Sequence, residues 1–288
     1  MSANQRVLFP VDFSVECHAL MPTVRKMLAR WQAEVTLLHV VEPRRWLGRK
    51  AEVQRLMAHI PMIAGETLLE QNVHCRLERG APGDRILDYV REHPVDLIVM
   101  SAGRSSKFHG NPVGEVSDQV LAEAPCPVWL DWTVVRARAA AGMNARQVCC
   151  ALELDESDER IFRKAAQMSE ELDAVLTAVH ALFPSRGEPL DVLWDQRVRE
   201  RELDTAAKRV ASLRTRFCPS SACSIDVGSR HTVLSRVLRS LEAGLLVTGN
   251  QRDAILAAES ECPVLRLPAS ASAALAVQPR YLAAGTSA

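Results

Sequence analysis

Asp96–Leu130, DLIVMSAGRSSKFHGNPVGEVSDQVLAEAPCPVWL, decides how this chain folds. It opens with the apolar run Leu97–Met100, too short for a helix and the right length for a buried strand. A polar, glycine-bearing loop follows, from Ser101 to Val113. Gly114 then opens an amphipathic segment in which Val116, Val120 and Leu121 share a helical face. Cys126-Pro127-Val128-Trp129-Leu130 returns as a second short apolar strand. Strand, loop, helix and strand make a βαβ unit. Its loop lies beyond the strand's carboxyl end, and the free N–H groups of the helix point into it. That geometry suits a phosphate.

Working outward, the same alternation fills the residues before this stretch. Arg6–Val11 (RVLFPV) reads as a first strand ending at Asp12. Ser14 is a candidate N-cap for a helix whose buried face carries Leu20, Val24, Met27, Leu28 and Trp31, with Pro22 expected to kink it. Glu34–Val41 (EVTLLHVV) is a second strand, nearly all apolar as in a parallel sheet covered on both faces. Residues 44–71 read as mostly helical with a break near Pro61. Val73–Glu78 is a third strand, Gly80–Gly83 a turn, and Asp84–Glu92 a helix with Ile86, Leu87 and Val90 inward. Strands and helices alternating in this way specify a doubly wound parallel α/β domain.

The pattern stops at 133–146, TVVRARAAAGMNAR, which reads as a linker, and then recurs. At an offset of 141 residues Val7 falls on Val148, Asp12 on Glu153, Thr36 on Thr177 and His39 on His180. At an offset of 148, Gly80 falls on Gly228, Ile86 on Leu234, and Ile98-Val99 on Leu246-Val247. By the last strand the offset is 136, placing Glu123, Cys126, Pro127 and Val128 on Glu259, Cys262, Pro263 and Val264. The fall from 148 to 136 is a 12-residue deletion that removes most of the glycine loop, leaving Gly249-Asn250-Gln251-Arg252. The expected division is therefore a first domain at 1–132, the linker, a second domain at 147–268 without the loop, and a disordered tail at 269–288.

Composition narrows the function classes. Of 288 residues 35 are basic and 35 acidic, so no net charge draws the chain to nucleic acid or an anionic membrane. No apolar run approaches the roughly 18 residues of a transmembrane helix, and MSANQRVLFPVDFS lacks a signal-peptide core, so the expected location is cytoplasmic. The eight cysteines form no C-x-x-C pair, and several lie in apolar runs, as small buried hydrophobes do. A thiol or metal sensor is the competing reading. No H-E-x-x-H motif, Walker loop or Ser-His-Asp arrangement supplies a catalytic mechanism.

RVLFPVDFS, LLHVVEP, ERGAPGDRILDYV and the DLIVMSAGR…GEVSDQVLAEAPCPVWL ending together resemble the universal stress protein family, over residues 5–132 and more weakly over 146–268. The resemblance implies two tandem Rossmann-like domains, each a five-stranded parallel sheet of order 3-2-1-4-5. It implies pairing of the two domains through their last strands, Cys126–Leu130 with Cys262–Leu267, with a further homodimer open.

Some members of the family bind ATP and others do not. In the binders an aspartate ending the first strand and a valine ending the second contact the adenosine; here these are Asp12 and Val40, with Pro10 nearby. The phosphates lie in a loop of pattern G-x-x-G-x9-G-[S/T], whose four positions fall on Ser101, Arg104, Gly114 and Glu115, only the third matching. A one-residue shift brings in Gly103. Met100, Val116 and Ser117 complete the site that the resemblance implies, Ser117 as a hydroxyl donor.

Physical chemistry divides on this loop. Gly103, Gly110 and Gly114 permit tight turns, and Arg104, Lys107 and His109 carry charge suited to phosphate. Glu115 puts a carboxylate where the helix dipole favours an anion. There it either occupies the phosphate position, repelling a triphosphate by roughly 1 kcal/mol, or turns outward and stabilises the helix start. Asp12 similarly either binds or caps the following helix. His39 and His180, repeated at equivalent strand ends, read as structural hydrogen-bonding groups. Trp46, Trp129, Trp132 and Trp194 read as core or interface residues.

Three functions follow as expectations. The first is a non-enzymatic stress-response protein, a tandem pseudo-dimer engaging a protein partner. The second is a switch or weak ATPase that binds an adenine nucleotide, ATP or a relative, in the first domain only. The third is the thiol or metal sensor.

Overall fold

The computed structural model describes residues 5–42, 49–59, 72–102, 113–132, 146–183, 196–260 and 262–268. Their first half runs β1 (Arg6–Pro10), α1 (Val15–Trp31), β2 (Glu34–Val41), α2 (Arg49–Ala58), β3 (Val73–Arg79), α3 (Pro82–Glu92), β4 (Leu97–Ser101), α4 (Glu115–Glu123) and β5 (Val128–Asp131). The second half repeats it as β6 (Gln147–Leu152), α5 (Asp158–Leu172), β7 (Val175–Leu182), α6 (Gln196–Phe217), β8 (Ala222–Val227), α7 (Arg230–Ser240), β9 (Leu245–Thr248), α8 (Gln251–Glu259) and β10 (Val264–Arg266). Within the span expected to be mostly helical, 49–58 is helical; 43–48 and 60–71, with Pro61, lie outside the described residues. So do 133–145 of the expected linker and the expected tail.

All ten strands belong to one sheet, ordered β3-β2-β1-β4-β5-β10-β9-β6-β7-β8. Each half thus has the order 3-2-1-4-5, counted within itself. Pairing is parallel throughout except at the seam, where β5 and β10 run antiparallel with Val264 opposite Leu130, Leu265 opposite Trp129 and Arg266 opposite Val128. Two sheets that would each have ended in an exposed edge instead satisfy each other's backbone groups there. Side chains bridge the same seam. Trp31 Nε1 donates to Glu171 at 2.7 Å, Gln251 Nε2 to Asp118 Oδ1 at 2.8 Å, and Arg266 Nη1 to the Ala124 carbonyl at 3.4 Å.

Alternation along the strands makes two cores, one per face. Val7, Phe9, Val35, Leu37, Val99 and Trp129 face α1, and the same layer continues through Val148, Cys150, Val247 and Leu265 to Phe162 of α5. Leu8, Leu38, Ile98, Val128 and Leu130 face α3 and α4, continuing through Cys149, Leu246 and Val264 to Leu234 of α7. Strands buried on both faces read as unbroken apolar runs, which is why the sequence shows no polar alternation in them. Full burial of each large apolar side chain contributes about 1.5–3 kcal/mol.

Helix ends follow the local sequence. Ser14 caps α1 by accepting from the Cys17 N–H at 3.0 Å, and the helix continues through Pro22 to a left-handed Gln32. Gly80 and Gly228, at φ +149° and +151°, close the third strand of each half in backbone conformations that side chains rarely adopt.

Candidate functional site

The strand order reverses between β1 and β4, and a doubly wound sheet opens a crevice at that point beyond the strand carboxyl ends. Pro10 helps to open it. β1 pairs with β2 over five residues but with β4 only at Val7–Leu97 and Leu8–Ile98. The Val11 N–H donates to the Leu38 carbonyl at 2.8 Å, on the β2 side, so Pro10, with no N–H, falls on the β4 side.

The chain leaves β1 through Asp12, Phe13 and Ser14. Phe13 is left-handed, φ 60°, and the exposed Asp12 carboxylate accepts from the Ser14 N–H at 2.9 Å and its hydroxyl at 2.6 Å. Asp12 therefore shapes the start of α1 while lying at the crevice mouth. Val40 is half-buried opposite Glu78. Beneath it His39 donates from Nδ1 to the Val11 carbonyl at 2.6 Å, tying the ends of β1 and β2 together. His180 makes the equivalent bond to Leu152 at 3.0 Å.

On the β4 side Met100 is buried and Ser101 half-buried. The Gly114 N–H donates to the Ala102 carbonyl at 2.8 Å, and Gly114 begins α4 without a side-chain cap. Glu115 is exposed, Val116 packs on the core, and Ser117 is buried with its hydroxyl donating to the Ser101 carbonyl at 3.0 Å. The Ser117 hydrogen is thus engaged within the protein, fastening α4 to β4. Gly103 and Arg104, with Lys107, His109 and Gly110, lie outside the described residues.

The second half keeps the backbone of this crevice and fills it. Leu154 is left-handed like Phe13, and Asp155 accepts from the Ser157 N–H and hydroxyl as Asp12 does from Ser14. Glu153, at the position of Asp12, accepts from Asn250 Nδ2, and Asn250 caps α8 through the Arg252 N–H. Arg230 donates from Nε and Nη2 to the two Asp253 oxygens, both at 2.7 Å, and from Nη1 to the Leu152 carbonyl at 3.1 Å. Thr248 donates its hydroxyl to Asp253. The cationic head of Arg230 therefore sits between the ends of β6 and β9.

Sequence reading missed Arg230, Asp253 and Asp158. Asp253 had a signal: at an offset of 136 it falls on Ser117, a carboxylate replacing a hydroxyl. Arg230 falls on Pro82 at an offset of 148 and has none. Asp158 is buried; one oxygen accepts from the Glu153 N–H at 3.1 Å, the other has no partner, and burial pushes the carboxyl up to about 6.

None of the eight cysteines is in a disulfide. Burial pushes the thiols of Cys17, Cys126 and Cys149 up to about 12, and that of Cys150 well above the ordinary range. Such groups stay protonated at neutral pH and are poor nucleophiles and ligands. No helix among the described residues is long and apolar enough to cross a membrane.

One sheet built from two repeated halves, parallel within each and antiparallel at the seam, defines a tandem doubly wound α/β protein. Residues 3–130 match the Universal stress protein family, which places the first half of the chain in that family, and the second half repeats its architecture. A universal stress protein of Methanocaldococcus jannaschii is 24% identical over 136 residues, 43% of this chain and 79% of that protein. The crystal structure of a universal stress protein from Archaeoglobus fulgidus superposes with a TM-score of 0.67 at 14% identity, covering 93% of this chain and all of that one. A functionally unknown protein of Pseudomonas aeruginosa gives 0.60 at 16% identity, covering 93% of each chain. At these identities the superpositions show the fold.

Proposed function

We propose that this chain is a non-enzymatic stress-response protein that works as a tandem pseudo-dimer. Its second domain is scaffold, and its first domain takes one adenine nucleotide in the β1–β4 crevice. The loaded state governs how the surface meets a protein partner. One observation carries the reading: the contrast between the two crevices. In the second, Arg230 and Asp253 occupy the space and Asn250 caps the helix. In the first, α4 starts at Gly114 with no side-chain cap among the described residues, an arrangement of N–H groups and dipole that suits an anion from outside. Asp12 follows β1 and Val40 lies near the end of β2, the positions at which the family's nucleotide binders contact adenosine.

Two details favour a second reading, a scaffold that takes no nucleotide. The Ser117 hydroxyl is engaged by Ser101, and Glu115 adds negative charge to the first turn of α4. A single experiment divides the two. Freshly purified protein is denatured, the released small molecules are identified by mass spectrometry, and a parallel sample is titrated with MgATP. About one nucleotide per chain, lost in Asp12→Ala, supports the switch. No released nucleotide and no binding heat to millimolar MgATP would remove it and leave the scaffold.

A further inference from the structure

Beside the first crevice, α1 and α2 bring two histidines together. His18 Nε2 and His59 Nε2 lie 3.1 Å apart, with the ring centroids at 4.8 Å. The other nitrogen of each ring is spoken for. His18 Nδ1 lies 2.8 Å from the Ser14 carbonyl, and His59 Nδ1 lies 2.6 Å from the Arg55 carbonyl. A carbonyl oxygen only accepts, so Nδ1 carries the hydrogen in both rings. In the neutral rings both Nε2 atoms are then bare lone pairs aimed at each other. That contact is repulsive unless something electrophilic lies between them.

We infer that His18 and His59 form a two-histidine site for a divalent first-row transition-metal ion of the zinc class. Zinc binds imidazole nitrogen at about 2.0–2.1 Å, so two such bonds at a tetrahedral angle place the nitrogens about 3.3 Å apart. The observed spacing is close to that. Each ring also has the outer-shell partner that metal-binding histidines use, an Nδ1–H donated to a backbone carbonyl, which fixes the tautomer and aims Nε2. His59 is buried and packs against Phe13 at 5.0 Å between ring centroids, whereas His18 is half-buried and gives solvent a way in. No group of three or more His, Cys, Asp or Glu converges on a metal position among the described residues. Among the described residues the protein therefore supplies two ligands, and water or an incoming donor completes the sphere, leaving positions open as catalytic zinc sites do. A metal here would clamp the first turn of α1, which follows Asp12, to the end of α2. The inference stands whether or not the crevice binds nucleotide.

The test uses the full chain stripped of metal with a chelator, labelled with nitrogen-15 in histidine, and titrated with Zn2+ while the ring nitrogens are followed by NMR. The expected result is a zinc-dependent shift of two Nε2 signals at one equivalent, with both Nδ1 protons retained. His18→Gln and His59→Gln should each weaken that binding by at least roughly tenfold, the low end of what losing even an outer-shell partner costs a metal site. His74→Gln, whose ring pairs with Glu34 on the surface, should leave it unchanged. Two Nε2 signals indifferent to zinc that move together on acidification would overturn the inference, since the pair would then hold a shared proton. Zinc taken up equally by wild type and both glutamine variants would overturn it as well. The wild-type spectrum decides the matter even if a variant fails to fold.

Discussion

Arg230 and Asp253 form a bidentate ion pair in the second crevice, with both bonds at 2.7 Å and the Asp253 side chain fully buried. At the equivalent place in the first domain, Ser117 makes one neutral hydrogen bond to Ser101. The two halves share a backbone yet solve the same problem differently. The second domain, where the glycine loop is shortened, places its own arginine at that point.

Removing one partner from this pair should be costly. Arg230→Met leaves the Asp253 carboxylate buried against Thr248 alone, and breaking such a pair costs about 3 kcal/mol or more. The double variant Arg230→Met, Asp253→Leu should recover most of that loss, because no uncompensated charge remains. Urea unfolding of the two variants and wild type gives the comparison. An Arg230→Met midpoint equal to wild type would show that the pair contributes nothing to the fold.

Glu115 should set binding and stability against each other. Its carboxylate lies in the first turn of α4, where it competes with a phosphate for the same dipole. Glu115→Ser should tighten MgATP by about fivefold, the equivalent of roughly 1 kcal/mol, and lower stability by a few tenths of a kcal/mol. Calorimetric titration and thermal unfolding measure the two effects. Unchanged affinity alongside lowered stability would mean that Glu115 only stabilises the helix.

What the sequence made legible was whatever depends on local pattern or on the repeat. Apolar runs placed β1, β2, β4 and β5, and constant offsets carried that reading into the second half, down to His39 and His180 bonding to Val11 and Leu152. The offset change also located the missing loop. Long-range side-chain pairs were not legible. Arg230 and Asp253 are 23 residues apart on different helices, and His18 and His59 are 41 apart. Such meetings depend on how helices dock across a sheet, which periodicity does not encode. The role of Asp12 was open, and Ser117 was expected only as a donor to a ligand, for a related reason. Each residue type suits a ligand and also suits a local bond, and only geometry shows that both make local bonds here.

Gly228 isolates backbone strain from crowding. Its φ is +151°, and a Cβ built there meets only Val233 Cγ2 at 3.5 Å, an ordinary contact. Gly228→Ala should therefore cost about 1–3 kcal/mol through conformation alone. Gly80→Ala should cost at least as much, because its Cβ would also lie 3.0 Å from Arg85 Cγ. Paired unfolding curves check the order. A neutral Gly228→Ala would mean that the turn after β8 relaxes freely.

Asp158 should make the second domain sensitive to pH in the direction opposite to a salt-bridged carboxylate. Burial raises its carboxyl from 3.8 to about 6, one oxygen having no partner. Between those values the folded chain holds a proton that the unfolded chain has lost. Stability must therefore fall as pH rises from about 4 to about 6, and stay lowered above that. The gap corresponds to about 3 kcal/mol. His180 acts the other way: burial lowers its imidazole from 6.5, so its contribution is complete at high pH and fades as pH falls. The raw pH profile mixes the two, and a variant separates them. Asp158→Asn keeps an oxygen to accept the Glu153 N–H but carries no charge at any pH. Its stability relative to wild type should rise by about 3 kcal/mol between about pH 4 and pH 7. A difference that stays flat across that range would mean that Asp158 is ionised in the fold throughout, with its unpartnered oxygen reached by water.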